Sequence, residues 1–343
     1  MSGLDGTDLL PSLEPTSYHP NCDNLAVGSM YKALSQTVPG TAWLVATGSL
    51  TNIALLFALY PSLANHLAGI SIMGGAIGGF FTHAPLGRLP ERIQLSPLLH
   101  KQFPSGLPDD SDMSISQVAV YFRELGLLQD ADNISNDKAE LLLNQARHNF
   151  GNSTPYAEFN IYTDPESASA VLSNPQLTSK ITLLPLDITH QVLATPQILS
   201  LVKHGHNKSP NNQTPNSSVR PLFHDLLTFF AHTYNAEFAM PSPPLHDPLA
   251  VAAALCPALF DDNDGERYTV HVVKGEDDII VPRTWRSSES MGQCGRTVAR
   301  MVGKVGDGVE GVRIPRTLKV EMFWWLIEFA LEEAEKRMEK ARL

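Results

Sequence analysis

The sequence has few cysteines, few basic residues and no long apolar run, and each absence excludes a class of protein. Its cysteines lie far apart without CxxC spacing, which predicts neither a disulfide framework nor a zinc knuckle; they are Cys22, Cys256 and Cys294. The longest apolar runs have about ten residues, whereas a membrane-spanning helix needs roughly 20. We therefore expect a cytoplasmic protein that does not cross a membrane.

Acidic residues outnumber basic ones, 36 to 25, and the formal net charge of the 343 residues is −11. Such a chain lacks the basic face that binds nucleic acid or an anionic membrane, so we expect neither partner. The first residues have neither a basic segment nor an apolar one, which predicts no secretory signal. A hydrophobic content of 43% and a charged content of 18% exclude a largely disordered chain.

Short apolar runs alternate with helical patterns along the chain. Three runs predict buried strands, because each is short, apolar and bounded by turn-forming or polar residues: 41–47, 69–76 and 180–189. Three further segments predict helices: 53–60, 164–173 and 196–202. This alternation predicts an α/β fold with an open, mainly parallel sheet flanked by helices.

Two stretches interrupt this alternation within what we predict to be a single domain, residues 1–343. Residues 78–149 predict a partly ordered insertion, which is either a tolerated surface segment or a lid or partner surface. Its two helical pieces are at 115–126 and 136–146. Residues 204–220 are polar and of low complexity, which predicts a flexible loop. The tail at 319–342 is amphipathic, which predicts a helix with one face toward a core.

Ligands of open α/β sheets bind beyond the carboxyl ends of the strands, so the polar residues there are candidates for a site. Thr47 follows the first predicted strand, although a plain strand terminus would look the same. Met73 lies near the end of the second strand, before two glycines. The third strand contributes residues that either face a ligand or brace the turn through backbone hydrogen bonds: Asp187, Thr189 and His190.

Two polar clusters lie outside the predicted strands. In HDPLAVA, Asp247 is either a helix cap beside a hydrogen-bonded His246 or a carboxylate ligand for Ca²⁺ or Mg²⁺. In the second case the adjacent histidine could move a proton at neutral pH. In GNSTPYAEFN, Glu158 and Asn160 are two residues apart, which predicts that they point to one side of an extended segment. There they either bind vicinal hydroxyls or stabilise a loop.

Taken together and in this order, TNIAL, MGGA, GN…AEFN…DPE, LDITH and HDPLAVA resemble the motifs of the inosine–uridine-preferring nucleoside hydrolase family. The resemblance extends from Gly3 to about Glu333, apart from the two interruptions. It implies the fold of that family and hydrolysis of the N-glycosidic bond of purine or pyrimidine ribonucleosides to ribose and free base. It also implies an oxocarbenium-like transition state and a role in nucleoside salvage, and relatives often form homo-oligomers.

The same resemblance implies roles for single residues. Ca²⁺, the cofactor of the family, would be held by the backbone carbonyl of Thr47 and the carboxylate of Asp247. His246 would lie near the base and help to protonate it as it leaves, and Asp247 would also act in catalysis. The ribose would be bound by Met73, Asn152, Glu158 and Asn160.

One family motif is absent from the sequence. The family has DxDxxxDD at the end of its first strand, and those aspartates supply most Ca²⁺ ligands and the general base. Asp5 and Asp8 do not match its spacing, and the acidic cluster 261–264, which we expect to have no strand before it, predicts an exposed turn. We therefore expect N-terminal strands of the fold to be missing. Ca²⁺ binding should be weak or absent, because Ca²⁺ takes about six to eight oxygen ligands.

Three explanations of this departure stay open. The chain begins at an internal Met of a longer protein, it is a truncated relative without hydrolysis, or another subunit supplies the acids. The two functions compatible with the sequence are accordingly a nucleoside hydrolase and an inactive family member that binds ribosides or a partner protein.

Overall fold

The computed structural model describes residues 26–79, 81, 82, 84, 86, 150–205, 219–238, 240, 242–275 and 293–342. The chain forms two compact units. The larger comprises the described residues of 26–191 and 246–318, and the smaller comprises those of 192–245 and 319–342. No described helix is both long and apolar enough to span a membrane.

The strands of the larger unit are, in chain order, β1 (Trp43–Ala46), β2 (Gly69–Met73), β3 (Ile181–Leu184), β4 (Phe260–Asp261), β5 (Glu266–Val272), β6 (Thr297–Lys304), β7 (Val312–Arg313) and β8 (Thr317–Leu318). Six of them form one sheet in the order β1-β2-β3-β7-β5-β6, and β4 pairs with β8. The pairs from β1 to β7 are parallel, whereas β5 is antiparallel to both β7 and β6. The predicted α/β fold with a mainly parallel sheet is therefore confirmed.

The helices of the larger unit are α1 (Ala26–Ser35), α2 (Thr51–Leu59), α3 (Leu63–His66), α4 (Phe159–Thr163), α5 (Pro165–Leu172), α6 (Leu186–Thr189) and α9 (Asp247–Leu255). Those of the smaller unit are α7 (Pro196–His204), α8 (Val219–Phe238) and α10 (Val320–Arg342). All five residues of β2 and all four of β3 are buried, as in parallel strands covered on both faces. Asp164 caps α5, whose helix was predicted over 164–173, by accepting the N–H of Ser167.

The third predicted strand is shorter than expected. Residues 181–184 form β3, but Leu186–Thr189 form the short helix α6 instead of its continuation. Pro185 separates the two, because proline has no N–H for the next ladder bond. The prediction of a strand was therefore wrong for residues 186–189. Apolar composition does not distinguish a buried strand from a buried helical turn.

The predicted interruptions fall largely on residues that the structure does not describe. Almost all of 78–149, with both of its predicted helical pieces, lies outside the described residues, as does 206–218. His204 ends α7 and Val219 begins α8, so the ends of the predicted 204–220 loop belong to helices. The single-domain assignment stays a prediction.

The two described ends of the longer interruption meet. Gly78, with φ of +70°, lies so close to Phe150 that a Cβ added to it would be 2.4 Å from the phenyl ring. Phe150 itself is almost completely buried. Gly78 and Phe150, 72 positions apart, are therefore in contact within the larger unit.

A buried ion-pair triad joins the helices of the smaller unit. Arg220 of α8 pairs with Glu328 of α10 at 2.8 Å and with Glu335 at 2.9 Å, and it also donates to the carbonyl of Val202 in α7. All three charged side chains are nearly inaccessible to solvent. Without the guanidinium, two carboxylates would remain buried without their cation.

We predict that Arg220→Met lowers the free energy of unfolding of the smaller unit by about 3–5 kcal/mol. The substitution removes the cation and leaves the carboxylates of Glu328 and Glu335 buried without it. Urea unfolding followed by tryptophan fluorescence would measure the loss, since Trp324 and Trp325 lie in α10. Lys336→Met breaks the exposed pair with Glu333 and is the matched control, with an expected loss below about 1 kcal/mol. Equal losses in the two variants would contradict the prediction.

Candidate active site

The carboxyl ends of β1 and β2 are joined by one amide. Asn160 of α4 donates through Nδ2 to the carbonyl of Met73 at 3.1 Å, to its Sδ at 3.3 Å and to the carbonyl of Thr47 at 3.4 Å. Met73 is buried, whereas Thr47 is exposed. The structure thus brings together three residues that the sequence assigned to one site. The Oδ1 atom of Asn160 has no partner among the described residues.

Glu158 lies at the start of α4 and is its N-cap. Its Oε1 accepts the N–H of Asn160 at 2.9 Å, and its Oε2 accepts those of Ile161 at 3.2 Å and Gly75 at 2.8 Å. The expectation of an extended segment was wrong, because the carboxylate satisfies backbone donors at the first turn and so begins a helix. Gly75 has a φ of +86°, a backbone conformation that glycine adopts readily, and in this conformation its N–H points to the Glu158 carboxylate.

Burial raises the pKa of Glu158, although the three backbone N–H donors lower it; the nearby charge of Asp247 raises it further. A carboxylate has about four acceptor sites, and three of those of Glu158 are used. One remains for a ligand hydroxyl. Asn152 has a related position, because its Oδ1 accepts the N–H of Phe159 in the same helix at 3.0 Å.

Asp247 differs from the other acids of this region. It is the first residue of α9, and the N-cap is His246, so its expected role as the cap was wrong. The N-cap His246 makes no side-chain capping bond. Among the described residues the carboxylate has no hydrogen-bond partner. Desolvation alone raises its pKa.

The helix α9 packs on β1 and β2. Asp247 lies in the first turn of that helix. Its charge contributes to the raised pKa of Glu158, so the two carboxylates lie near each other. Carboxylates that share a region favour a cation or a developing positive charge between them.

The His246 side chain contacts the helical turn α6, which follows β3. Its Nδ1 lies 2.8 Å from Oγ1 of Thr189, the last residue of α6. The ring of His190 lies 5.5 Å away, tilted by 49°. Burial and the neighbouring His190 lower the pKa of His246 to about 3. Both expected residues of the LDITH motif therefore contact the expected histidine of HDPLAVA.

Asp187, the remaining polar residue of that motif, braces the loop after β2. Its carboxylate accepts the N–H groups of Ile77 at 2.8 Å and Gly78 at 3.0 Å, and its carbonyl accepts the hydroxyl of Thr82. Burial raises its pKa to about 6, while the two N–H donors and Arg316 oppose the rise. Of its two expected roles, the structure shows the bracing of a turn.

Sequence reasoning missed Arg316, which supports the same loop. It is buried, donates to Glu266 at 2.8 Å and to the carbonyl of Phe81 at 2.7 Å, and lies 3.8 Å from the centre of the Phe81 ring. No local motif surrounds it, and its partner Phe81 is 235 positions away. A single sequence contains no signal for such a contact.

The acidic cluster at 261–264 is a turn, as predicted, with positive φ at Asn263 and Asp264. Contrary to expectation a strand, β4, precedes it. Asp262 pairs with Arg267 and Arg313 at 3.0 and 2.9 Å, and these cations hold its pKa below the usual range against the effect of burial. Its charge is thus used within the fold.

The described residues do not by themselves fit a calcium ion. No three of their His, Cys, Asp and Glu side chains converge in a way that could hold a metal. Thr47 and Asp247 offer one carbonyl and one carboxylate, whereas Ca²⁺ takes about six to eight oxygens. The carbonyl of Thr47 also already accepts a long hydrogen bond from Asn160.

Comparison with known proteins gives concordant results. The sequence model described as inosine-uridine preferring nucleoside hydrolase matches residues 1–325. The "Uridine nucleosidase" of Saccharomyces cerevisiae is 26% identical over 343 residues, 98% of this chain and 73% of the yeast protein. The "Pyrimidine-specific ribonucleoside hydrolase RihA" of Citrobacter koseri is 29% identical over 260 residues, 76% of this chain and 54% of that protein.

The fold is also that of solved nucleoside hydrolases. The "Purine-Preferring Ribonucleoside Hydrolase from Gardnerella vaginalis" superposes with a TM-score of 0.54 at 20% identity, over 93% of this chain and 69% of that one. The chain spans between about half and three quarters of the length of the curated relatives named above.

We predict that the contribution of Asp187 to stability grows as pH falls. Its folded pKa of about 6 lies above the ordinary 3.8, so the folded state binds the proton more tightly, and this stabilisation is lost as pH rises through about 6. From about pH 7 to about pH 4.5, the free energy of unfolding of the wild type minus that of Asp187→Asn should rise by roughly 2 kcal/mol. Urea titrations at several pH values measure the difference, and a flat difference would refute the assignment.

We predict that this chain binds Ca²⁺ no tighter than a Kd of about 10⁻⁴ M, because the described residues provide so few oxygen ligands. Isothermal titration calorimetry of the folded 343-residue chain would measure the affinity. Micromolar binding that Asp247→Asn abolishes would show that the ligand count is wrong.

Proposed function

Because this chain belongs to the inosine-uridine preferring nucleoside hydrolase family, we propose that it hydrolyses the N-glycosidic bond of purine or pyrimidine ribonucleosides to ribose and free base. The observation that carries the proposal is a pair of neighbouring carboxylates: Glu158, which accepts the N–H of Gly75 after β2, and Asp247 at the start of α9. Their charges repel each other, and each pKa is raised. Such a pair is costly to folding and suited to a positively charged reacting group.

The reaction develops that charge. As the bond to the base breaks, the ribosyl group becomes oxocarbenium-like, and carboxylates fixed beside it stabilise the charge without having to reorganise. Glu158 is fixed by its three backbone donors. The backbone of Asp247 is held in the first turn of α9.

Asp247 is our choice for the residue that takes the proton from the attacking water. It has no hydrogen-bond partner among the described residues, and desolvation raises its pKa. Both properties favour proton acceptance, since the carboxylate is available and more basic than usual. Glu158 lacks this freedom because its oxygens already accept three N–H groups.

The ribose would lie against α4 and the end of β2. Asn160 keeps Oδ1 for a hydroxyl while its Nδ2 is fixed by Met73 and Thr47. Asn152 keeps Nδ2 while its Oδ1 caps Phe159. Each amide thus has one end fixed by the protein, while its other end has no partner among the described residues; an amide held in this way orients a sugar at little entropic cost. Met73 would line the sugar pocket.

A second candidate is binding of ribosides, or of a partner protein, without hydrolysis. The observation that favours binding without hydrolysis is that the described residues contain no complete cation site. Uridine binding measured by calorimetry, with no ribose released by the same preparation, would establish riboside binding in place of hydrolysis.

We also propose a cytoplasmic, nucleoside-salvage role and assembly into homo-oligomers. The two described cysteines, Cys256 and Cys294, are free thiols, which suits a reducing compartment. Salvage follows from the proposed products, ribose and free base. Light scattering of the purified chain would test the assembly.

We predict that Asp247→Ala lowers the rate of ribose release from inosine and uridine by at least about 100-fold, because it removes the proposed proton acceptor and one stabilising charge. A reducing-sugar assay on the purified 343-residue chain measures the rate. The matched control is Asp225→Ala, which removes an exposed carboxylate of the smaller unit. Unchanged release by Asp247→Ala would overturn the assignment, and absence of release by the wild type would overturn hydrolysis by this chain.

A further inference from the structure

Thr189 and His246 connect the end of β3 to the start of α9. Thr189 is the last residue of α6 and is completely buried, and His246 is the N-cap of α9. The only hydrogen bond of the Thr189 hydroxyl to a described residue is the 2.8 Å contact with His246 Nδ1. The two residues are 57 positions apart, so the contact depends on the folded sheet.

Two arrangements of hydrogen fit this distance, and they differ in cost. If Nδ1 carried the proton and donated to Oγ1, the hydroxyl hydrogen of Thr189 would need another acceptor, and no described residue provides one. A buried donor without an acceptor costs about 1–3 kcal/mol. If the hydroxyl donates to Nδ1, it is satisfied, and the ring proton of a neutral imidazole must be on Nε2.

We propose that Thr189 is a positioning residue that holds His246 as the Nε2–H tautomer, so that the imidazole offers a hydrogen-bond donor to the base of a bound nucleoside. The assignment of the tautomer rests on the contact between Thr189 and His246 alone. The role of His246 as a donor to the base rests on the proposed function.

The chemistry of the leaving base fits a donor of this kind. Breaking the glycosidic bond leaves negative charge on the base, and a positioned N–H stabilises that charge as it develops. Purines and pyrimidines both carry acceptors at their edges, as ring nitrogens or carbonyl oxygens. An Nε2–H donor therefore serves both classes and selects for the position of the acceptor. A base analogue with a C–H in place of that acceptor would lose the interaction.

His190 contributes to the same arrangement through ring packing against His246. It is almost completely buried, and its ring packs 5.5 Å from that of His246 at 49°. The packing limits rotation of the His246 ring about its own axis, while Thr189 distinguishes its two nitrogens. Orientation and tautomer thus depend on neighbouring residues of one short helix end.

The first test is the tautomer itself. Two-bond ¹H–¹⁵N correlation spectra of the ¹⁵N-histidine-labelled full chain distinguish Nε2–H from Nδ1–H rings. Spectra at about pH 8 keep an ordinary imidazole neutral. The signals of His246 are assigned by their loss in His246→Ala. We expect the Nε2–H pattern in the wild type and in Thr189→Ser, which keeps the hydroxyl, and a shift toward Nδ1–H in Thr189→Val.

An Nδ1–H pattern in the wild type would overturn the proposal, as would an unchanged pattern in Thr189→Val. The valine variant is nearly isosteric, and its thermal unfolding curve checks that it folds. If it does not fold, the wild-type spectrum and Thr189→Ser still decide the tautomer. Thr228→Val is the matched control, since it removes a part-buried threonine hydroxyl from α8, where the bond is to the carbonyl of His224.

The second test is catalytic. Thr189→Val should lower kcat for ribose release about tenfold with KM changed less than twofold, because the donor acts on charge that develops only in the transition state. Thr189→Ser should restore kcat. A kcat within twofold of the wild type in the valine variant would overturn the role toward the base. If the wild type releases no ribose, the proposed function fails, and the spectra still decide whether Thr189 sets the tautomer.

Discussion

The geometry of the candidate site depends on the buried carboxylate of Glu158. It accepts N–H groups from the turn after β2 and from the first turn of α4, so one side chain fixes two backbone segments that are 83 positions apart. Because α4 is fixed in this way, Asn160 reaches the ends of both β1 and β2. Loss of this one acceptor would release a strand end, a loop and a helix start together.

Glu158, Asp187 and Asp247 are acidic residues of the candidate site, and they differ in burial and in their hydrogen bonds. Glu158 and Asp187 are buried, and both accept backbone N–H groups of the turn after β2, so both stabilise that turn. Asp247 is less enclosed and has no such donors among the described residues. The raised pKa values of all three have burial as their largest cause, but only Asp247 combines this with an available carboxylate. That contrast separates a reacting group from supporting ones more clearly than residue type does.

Sequence patterns predicted those parts of the fold that depend on neighbouring residues. The apolar run of β2 and the Asp-Pro start of α5 are local signals, and the structure agrees with both. The candidate residues came from strand ends and their roles from a resemblance of whole motifs; hydrogen bonds place Asn160 at the ends of β1 and β2 and Glu158 against the turn after β2. What could not be predicted depends on distant partners. Arg316 donates to the carbonyl of Phe81, 235 positions away. Glu158 lies at the start of a helix and not in an extended segment, and one of its three N–H donors is Gly75, 83 positions away.

The contact between Gly78 and Phe150 bears on how this chain tolerates variation in length. When a segment begins and ends at one packed point, the entropy of closing it grows only with the logarithm of its length. Doubling such a segment costs about 0.6 kcal/mol, far less than most core substitutions. Such a change is cheap only where the chain makes no further contacts. Phe81 and Thr82 also lie between these two residues and are bonded to Arg316 and Asp187, so a change in length next to Gly78 would disturb the loop after β2 as well.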